Sequence, residues 1–276
     1  MSHLFDPGYS QRPFAALVAH YPGADVYPAE DFRLEWGPIF HRGRLDGSAR
    51  ILVLGQDPAA HEAISRRILV GEAGQRVQGF LAKLGIEIGY VMINTFLYSV
   101  YGQWGGQKHD GDQNIARYRN DWLDALLVGT QVEAVIALGT LAHHAFEAWL
   151  ATPNAQGVDL AFQPIKHPTF PEAASASGQM TRAEAMQQML GEWNIALAEL
   201  HAAIGAPDVT RTLVPYGMDL DPGSDLARIP ERDLPAGIPP WMLGVDAWAS
   251  RIGPDEETKR ATIEVTVPTL QRPWHP

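Results

Sequence analysis

Residues 50–62 read Arg-Ile-Leu-Val-Leu-Gly-Gln-Asp-Pro-Ala-Ala-His-Glu. The four apolar residues Ile51–Leu54 are too few for a helix and show no alternation with polar side chains. Such a run is a strand covered on both faces, the mark of a parallel sheet. It stops at Gly55-Gln56-Asp57-Pro58, a turn whose polar residues fall at the carboxyl end of the strand. The pattern recurs at Tyr90–Asn94, Ala134–Leu138 and Leu160–Ile165, and helical periodicity fills the intervals at Gln75–Leu84, Ile115–Val128 and Thr140–Leu150. A last helix is expected over Thr181–Ala203, opening on a capping box formed by Thr181 and Glu184. Strands alternating with helices predict an α/β fold of three layers, α/β/α, around a central and mostly parallel sheet.

The flanks differ in composition. Residues 1–49 are rich in Pro, Gly and aromatics, with one short helical candidate near Pro13–His20, and read as an N-terminal wrapping arm to the 50–205 domain. Residues 206–276 carry Pro207, Pro215, Pro222, Pro230, Pro235, Pro239 and Pro240 and a single alternating stretch at Thr262–Val267, so an irregular C-terminal extension packed on that domain is expected. No stretch of the 276 residues approaches the ~20 apolar residues that span a bilayer. The N-terminus shows no basic and apolar export signal, which together predicts a cytoplasmic protein without a membrane partner. Zero cysteines exclude disulfides, thiolate zinc sites and iron–sulfur clusters, leaving His, Asp and Glu as metal ligands. The net charge of −11 argues against a polyanionic partner at first sight, yet residues 1–120 hold 12 basic and 12 acidic residues. A protein that touches a few nucleotides needs only a local basic strip.

Ligands of open α/β sheets bind beyond the carboxyl ends of the strands. There the sequence places Gln56-Asp57, then Asn94, then Gly139, and finally Lys166-His167-Pro168-Thr169-Phe170-Pro171. No serine or cysteine occupies a nucleophile's position, and no GxxxxGK[ST] phosphate loop is present.

The pair Gly55-Gln56-Asp57-Pro58 and His167-Pro168-Thr169-Phe170-Pro171 resembles the two motifs of the uracil-DNA glycosylase superfamily. Arg67-Ile68-Leu69-Val70-Gly71-Glu72-Ala73-Gly74-Gln75 is similar to the segment before the first long helix in the branch that carries an iron–sulfur cluster. The resemblance spans roughly residues 50–195. It implies excision of uracil, and of other deaminated bases, from DNA by a monofunctional glycosylase. Three departures stand out: the cluster's cysteines are missing, Ala59 replaces a tyrosine that screens out the thymine methyl, and Leu69 falls where an aromatic stacks on uracil.

Cleaving an N-glycosidic bond makes the sugar cationic and the leaving base anionic, and a water attacks the far face. Asp57 suits the water and the cation, and His167 suits O2 of the departing base. Asn94 offers a donor and an acceptor to the O4 and N3–H edge of uracil, and Gln56 a contact on the same rim. His109, in the glycine-rich loop from Gly102 to Asn114, is either a flap contact to substrate or a solvated loop histidine. DNA contact is expected from a loop between Thr169 and Met180, through Thr169, Ser175 and Ser177, and from Arg182 in the first helical turn. Arg66, Arg67, Arg76 and Lys108 are the remaining candidates for a basic rim. No cofactor and no resident metal is expected. Two other readings stay open: a non-catalytic protein that binds damaged bases or nucleotides, and a metal-dependent hydrolase using His109, Asp112 and Asp57.

Overall fold

The computed structural model describes residues 11–102, 105–243 and 248–272. Residues 1–10 of the expected arm, and Gln103 and Trp104 of the glycine-rich loop, lie outside them. Five strands form the sheet: β1 (Arg42–Gly43), β2 (Ile51–Gly55), β3 (Tyr90–Asn94), β4 (Ala134–Leu138) and β5 (Ala161–Ile165). Their order is β1-β3-β2-β4-β5, parallel throughout except for β1, which runs antiparallel along β3. The arm before residue 50 thus supplies an edge strand.

Alternation along β2 shows why the apolar runs are unbroken. Ile51 and Val53 face one core with Phe80, Leu81, Met189 and Trp193, while Leu52 and Leu54 face the other with Trp122, Leu123, Phe146 and Trp149. Both faces are covered, as a parallel sheet requires. Helices α3 (Glu72–Lys83) and α7 (Arg182–Ala203) build the first layer, and α4 (Gln113–Leu127), α5 (Thr140–Leu150) and α1 (Phe14–Ala19) the second. The three-layer α/β/α reading therefore holds. Thr181 caps α7 through the reciprocal bonds with Glu184 expected of it.

Three short helices among the described residues escape the periodicity, α2 (Ala60–Ser65), α6 (Phe170–Ala176) and α8 (Glu256–Ala261). Each has fewer than two full turns, so too few apolar repeats exist to betray it. The second corrects the loop expected between Thr169 and Met180. The strand expected over Thr262–Val267 shrinks to β7 (Glu264–Val265), which pairs antiparallel with β6 (Ala249–Ser250). No helix among the described residues is long and apolar enough to cross a membrane.

The extension is held by side chains rather than by the sheet. Ile229, Leu234, Met242, Leu243 and Trp248 close a small core over Ala60 and Val70. Asp233 pairs at 3.1 Å with Arg42, which is fully buried, and accepts the Tyr90 hydroxyl. Lys83 reaches Asp225 at 2.7 Å, and Asp208 Oδ2 accepts the backbone N–H groups of Glu87, Ile88 and Gly89.

Candidate active site

A cleft of about 750 Å³ opens beyond the carboxyl end of β2, lined by Gln56, Asp57 and Ala59 from the first turn, and by His167, Thr169 and Phe170 from the last. The sheet register is what brings them together. β4 lies between β2 and β5, and Gly139 just past its end has φ +83; a Cβ there would stand 2.4 Å from the Gln56 amide nitrogen and 3.3 Å from the His167 Cβ. A side chain at 139 would be strained by the positive φ and would displace the Gln56 amide.

Asp57 sits in the cleft, accepting the Val100 N–H at 3.2 Å on Oδ2. Burial pushes its carboxyl up to about 7, and the charge of Glu62 adds to this; the Val100 bond and the charge of Arg251 pull the other way. Val100 is itself placed by the arm, through a bridge to Phe32 and the Arg33 N–H on the Ser99 carbonyl. Glu62 is buried too, accepting the N–H groups of Ala59 and Val70 at the start of α2.

His167 is half-buried, and burial followed by the charge of Arg76 pulls its pKa down to about 4. Its Nδ1 accepts the Thr169 backbone N–H at 3.2 Å and lies 2.9 Å from the Thr169 hydroxyl. An Nδ1 that accepts a backbone N–H carries no proton, so the neutral ring is an Nε2–H donor. Two further contacts fix the turn: the Trp193 indole donates to the Lys166 carbonyl at 3.0 Å, and Arg76 donates to the Pro168 carbonyl.

The remaining expected residues divide. Leu69 lines the cleft with an uncommon φ of +54 and is buried. Asn94 pairs in register with Gly55 and lays its Oδ1 over that glycine, but it does not line the cleft. His109 is not brought there either: its Nε2 lies 3.0 Å from Asp31 and its ring packs on Phe32, while Gly102 is the one described residue of its loop that reaches the cleft. His109 and Asp112 are 3.6 Å apart, but no cluster of three His, Asp or Glu side chains suited to a metal ion occurs among the described residues. Ser175 and Ser177 are exposed, one on α6 and the other at its C-terminal end.

The expected basic rim is engaged with the protein itself, Arg67 and Arg76 in the interior and Lys108 and Arg182 in exposed ion pairs. Arg76 is buried between Glu72 and Glu172, Arg66 donates to the carbonyls of Trp36 and Pro38, and Arg67 is buried and donates to the Arg66 carbonyl. Lys108 pairs with Asp31, and Arg182 with Glu172 at 3.0 Å. Sequence reasoning missed Trp36, His61, Ser99 and Val100, and it missed the contribution of Ala249, Ser250 and Arg251 from the extension. No motif or period marks them, and all but His61, which follows the Asp57 turn on α2, arrive by long-range contacts. Phe170 stands within the second motif, where the sequence assigned it no role.

A family model described as the uracil DNA glycosylase superfamily matches residues 42–192. The chain belongs to that superfamily. A search of the curated proteins gives no match. Membership supports a DNA glycosylase, a hydrolase with DNA as its partner. The matched stretch of this glycosylase runs from β1 into α7 and ends before every extension residue that lines the cleft.

Proposed function

We propose that the protein hydrolyses the N-glycosidic bond of uracil in DNA and leaves an abasic site. The observation that carries this reading is the pairing of Asp57 and His167 in one cleft with their proton affinities displaced in opposite directions, to about 7 and about 4. Groups in a cleft whose environments separate their pKa values commonly divide the work of acid–base chemistry. A flipped-out nucleotide places its sugar beside Asp57 and its base beside His167. Ionised Asp57 orients the attacking water and faces the cationic sugar. Neutral His167 donates from Nε2 to O2 of the departing base, needing no proton from solvent.

Trp36 and Phe170 offer the aromatic surface that Leu69 does not, and base–aromatic stacking contributes ~1–3 kcal/mol per base. Ala59 is exposed at the cleft, leaving room beside C5, so other deaminated or 5-substituted bases are accepted as well. A lyase step requires an uncharged amine near the sugar. Among the described residues no lysine lines the cleft, and Lys166 is turned to Glu192 at 3.3 Å and over the Phe170 ring.

Incubation with a uracil-containing single-stranded oligonucleotide in EDTA tests the reading. Release of free uracil, with strand breakage only after alkali, is expected. Binding without release would favour the non-catalytic reading, and release that chelation abolishes would favour the metal-dependent one.

A further inference from the structure

An enzyme that acts on a base in DNA must hold a polyanion, yet this chain carries a formal charge of −11 and engages its nearby arginines internally. Arg66 and Arg67 are bound to backbone carbonyls, Arg76 to two glutamates and a carbonyl, and Arg182 to Glu172. Among the described residues that line the cleft, a single arginine and no lysine is found, and that arginine is Arg251. It is exposed, and among the described residues it makes no hydrogen bond and no ion pair.

We propose that Arg251 is the cleft's phosphate-binding residue, contacting the DNA backbone beside the extruded nucleotide, so that the C-terminal extension completes the substrate site. The inference rests on the glycosylase reading for the placement of the nucleotide. Arg251 enters the cleft from the Asp57 end, where the glycosylase reading puts the sugar: it follows Ala249, whose N–H donates to His61 on α2 directly after the Asp57 turn, and its charge acts on that carboxyl. Phosphates are attached to the sugar, not to the base, so a cation on that side meets the backbone. A planar guanidinium with five donors matches phosphate oxygens, and an unpaired one surrenders no internal partner on binding.

The segment that carries it is seated from both sides. His61 Nε2 accepts the backbone N–H groups of Trp248 and Ala249, each at 3.3 Å, and the Trp248 ring packs edge-on against His61 at 4.7 Å. On the other side β6 pairs with β7, and the Thr266 N–H donates to the Trp248 carbonyl at 2.9 Å. His61 belongs to α2, which begins two residues after Pro58, so the arginine is held in fixed relation to the Asp57 turn.

The test compares wild type, Arg251→Ala and Arg251→Lys for binding to single-stranded oligonucleotides with and without uracil, across a salt series. One lost phosphate contact lowers the slope of log K against log salt by about 0.7 on single strands and weakens binding roughly tenfold at low salt. Arg251→Ala is expected to show both changes equally on the two oligonucleotides, and Arg251→Lys to restore most of the slope. A neutral methylphosphonate flanking the uridine should then weaken wild type and leave Arg251→Ala unaffected. An unchanged slope in Arg251→Ala, or no DNA binding by wild type, overturns the inference. Uracil release by wild type with that unchanged slope overturns it while leaving the glycosylase reading intact. No release by wild type, with a lowered slope in Arg251→Ala, does the reverse.

Discussion

The sheet domain and the C-terminal extension reach the same cleft by different physics. Residues at the ends of β2 and after β5 are placed by backbone register: once Ile136 lies opposite Val53 and Gln163, the turns that follow must converge. The extension has no such ladder to the sheet. It is located by separate anchors, Asp233 on Arg42 and Tyr90, Asp225 on Lys83, and Trp248 and Ala249 on His61, each a local set of contacts rather than a repeating ladder. Repeating hydrogen bonds deliver the chemical pair, and scattered anchors deliver the cation. The difference predicts that chemistry and DNA holding fail separately.

The sharpest break is Asp57→Asn, which keeps shape and removes charge. Single-turnover base release should fall roughly 10²–10⁴-fold while DNA affinity is spared. Stability should move the other way. The folded pKa of about 7 exceeds the ordinary 3.8, so the folded state binds the proton more tightly, and burying the anion costs stability increasingly above pH 3.8 and fully above about 7. Urea unfolding should therefore show the Asn variant gaining at pH 8 and not at pH 3.5. Retention of near wild-type rates would move water activation elsewhere, with Glu62 the next carboxylate in the cleft.

Asp233→Ala attacks the other side of the comparison. It leaves the Arg42 guanidinium buried without its carboxylate, a change that typically costs ~3–5 kcal/mol. Denaturant unfolding should record that loss. At permissive temperature the variant should bind DNA more weakly with its single-turnover rate at saturation little changed, because the anchor holds the extension and not the strand ends. Equal damage to both would show that the two regions are coupled more tightly than their contacts indicate.

Ala59→Tyr sharpens specificity within the sheet-borne part. A bulky side chain there should discriminate against 5-methyl and larger substituents by ~1–3 kcal/mol, or roughly 10–200-fold between uracil and thymine analogues in competition. Wild type cleaving uracil alone, with no change in the variant, would place another residue beside C5. The smallest effect is expected from pH. With Asp57 at about 7 and His167 at about 4, kcat/KM should rise through neutrality as Asp57 ionises, and no limb from His167 should appear between pH 5 and 9. Arg251→Ala should carry that ascending limb to higher pH, since the cation favours the carboxylate, and salt should erase the difference.

The strands, the long helices and the Thr181 cap were legible because each is a local pattern: an apolar run of strand length, a 3.6-residue period, a Thr three positions before a Glu. Asp57 and His167 were legible because they sit where parallel strands end. Asn94 met the same criterion, but its side chain lies over Gly55 and not in the cleft, since a strand-end position does not fix where a side chain points. Arg66, Arg67, Arg76 and Arg182 show the limit most clearly. Sequence counts their charges, but only the fold assigns their partners, and Glu172, 96 residues from Arg76 and 10 from Arg182, claims both. Conversely Arg251 sits in a Pro- and Gly-rich stretch with no motif, and it becomes a cleft residue solely through contacts at His61 and the β6–β7 pair. Periodicity and motifs report energy terms that act between near neighbours in sequence. The charge presented to a ligand depends on which opposite charges remain after folding, and pairing across tens to hundreds of residues is decided by tertiary structure alone.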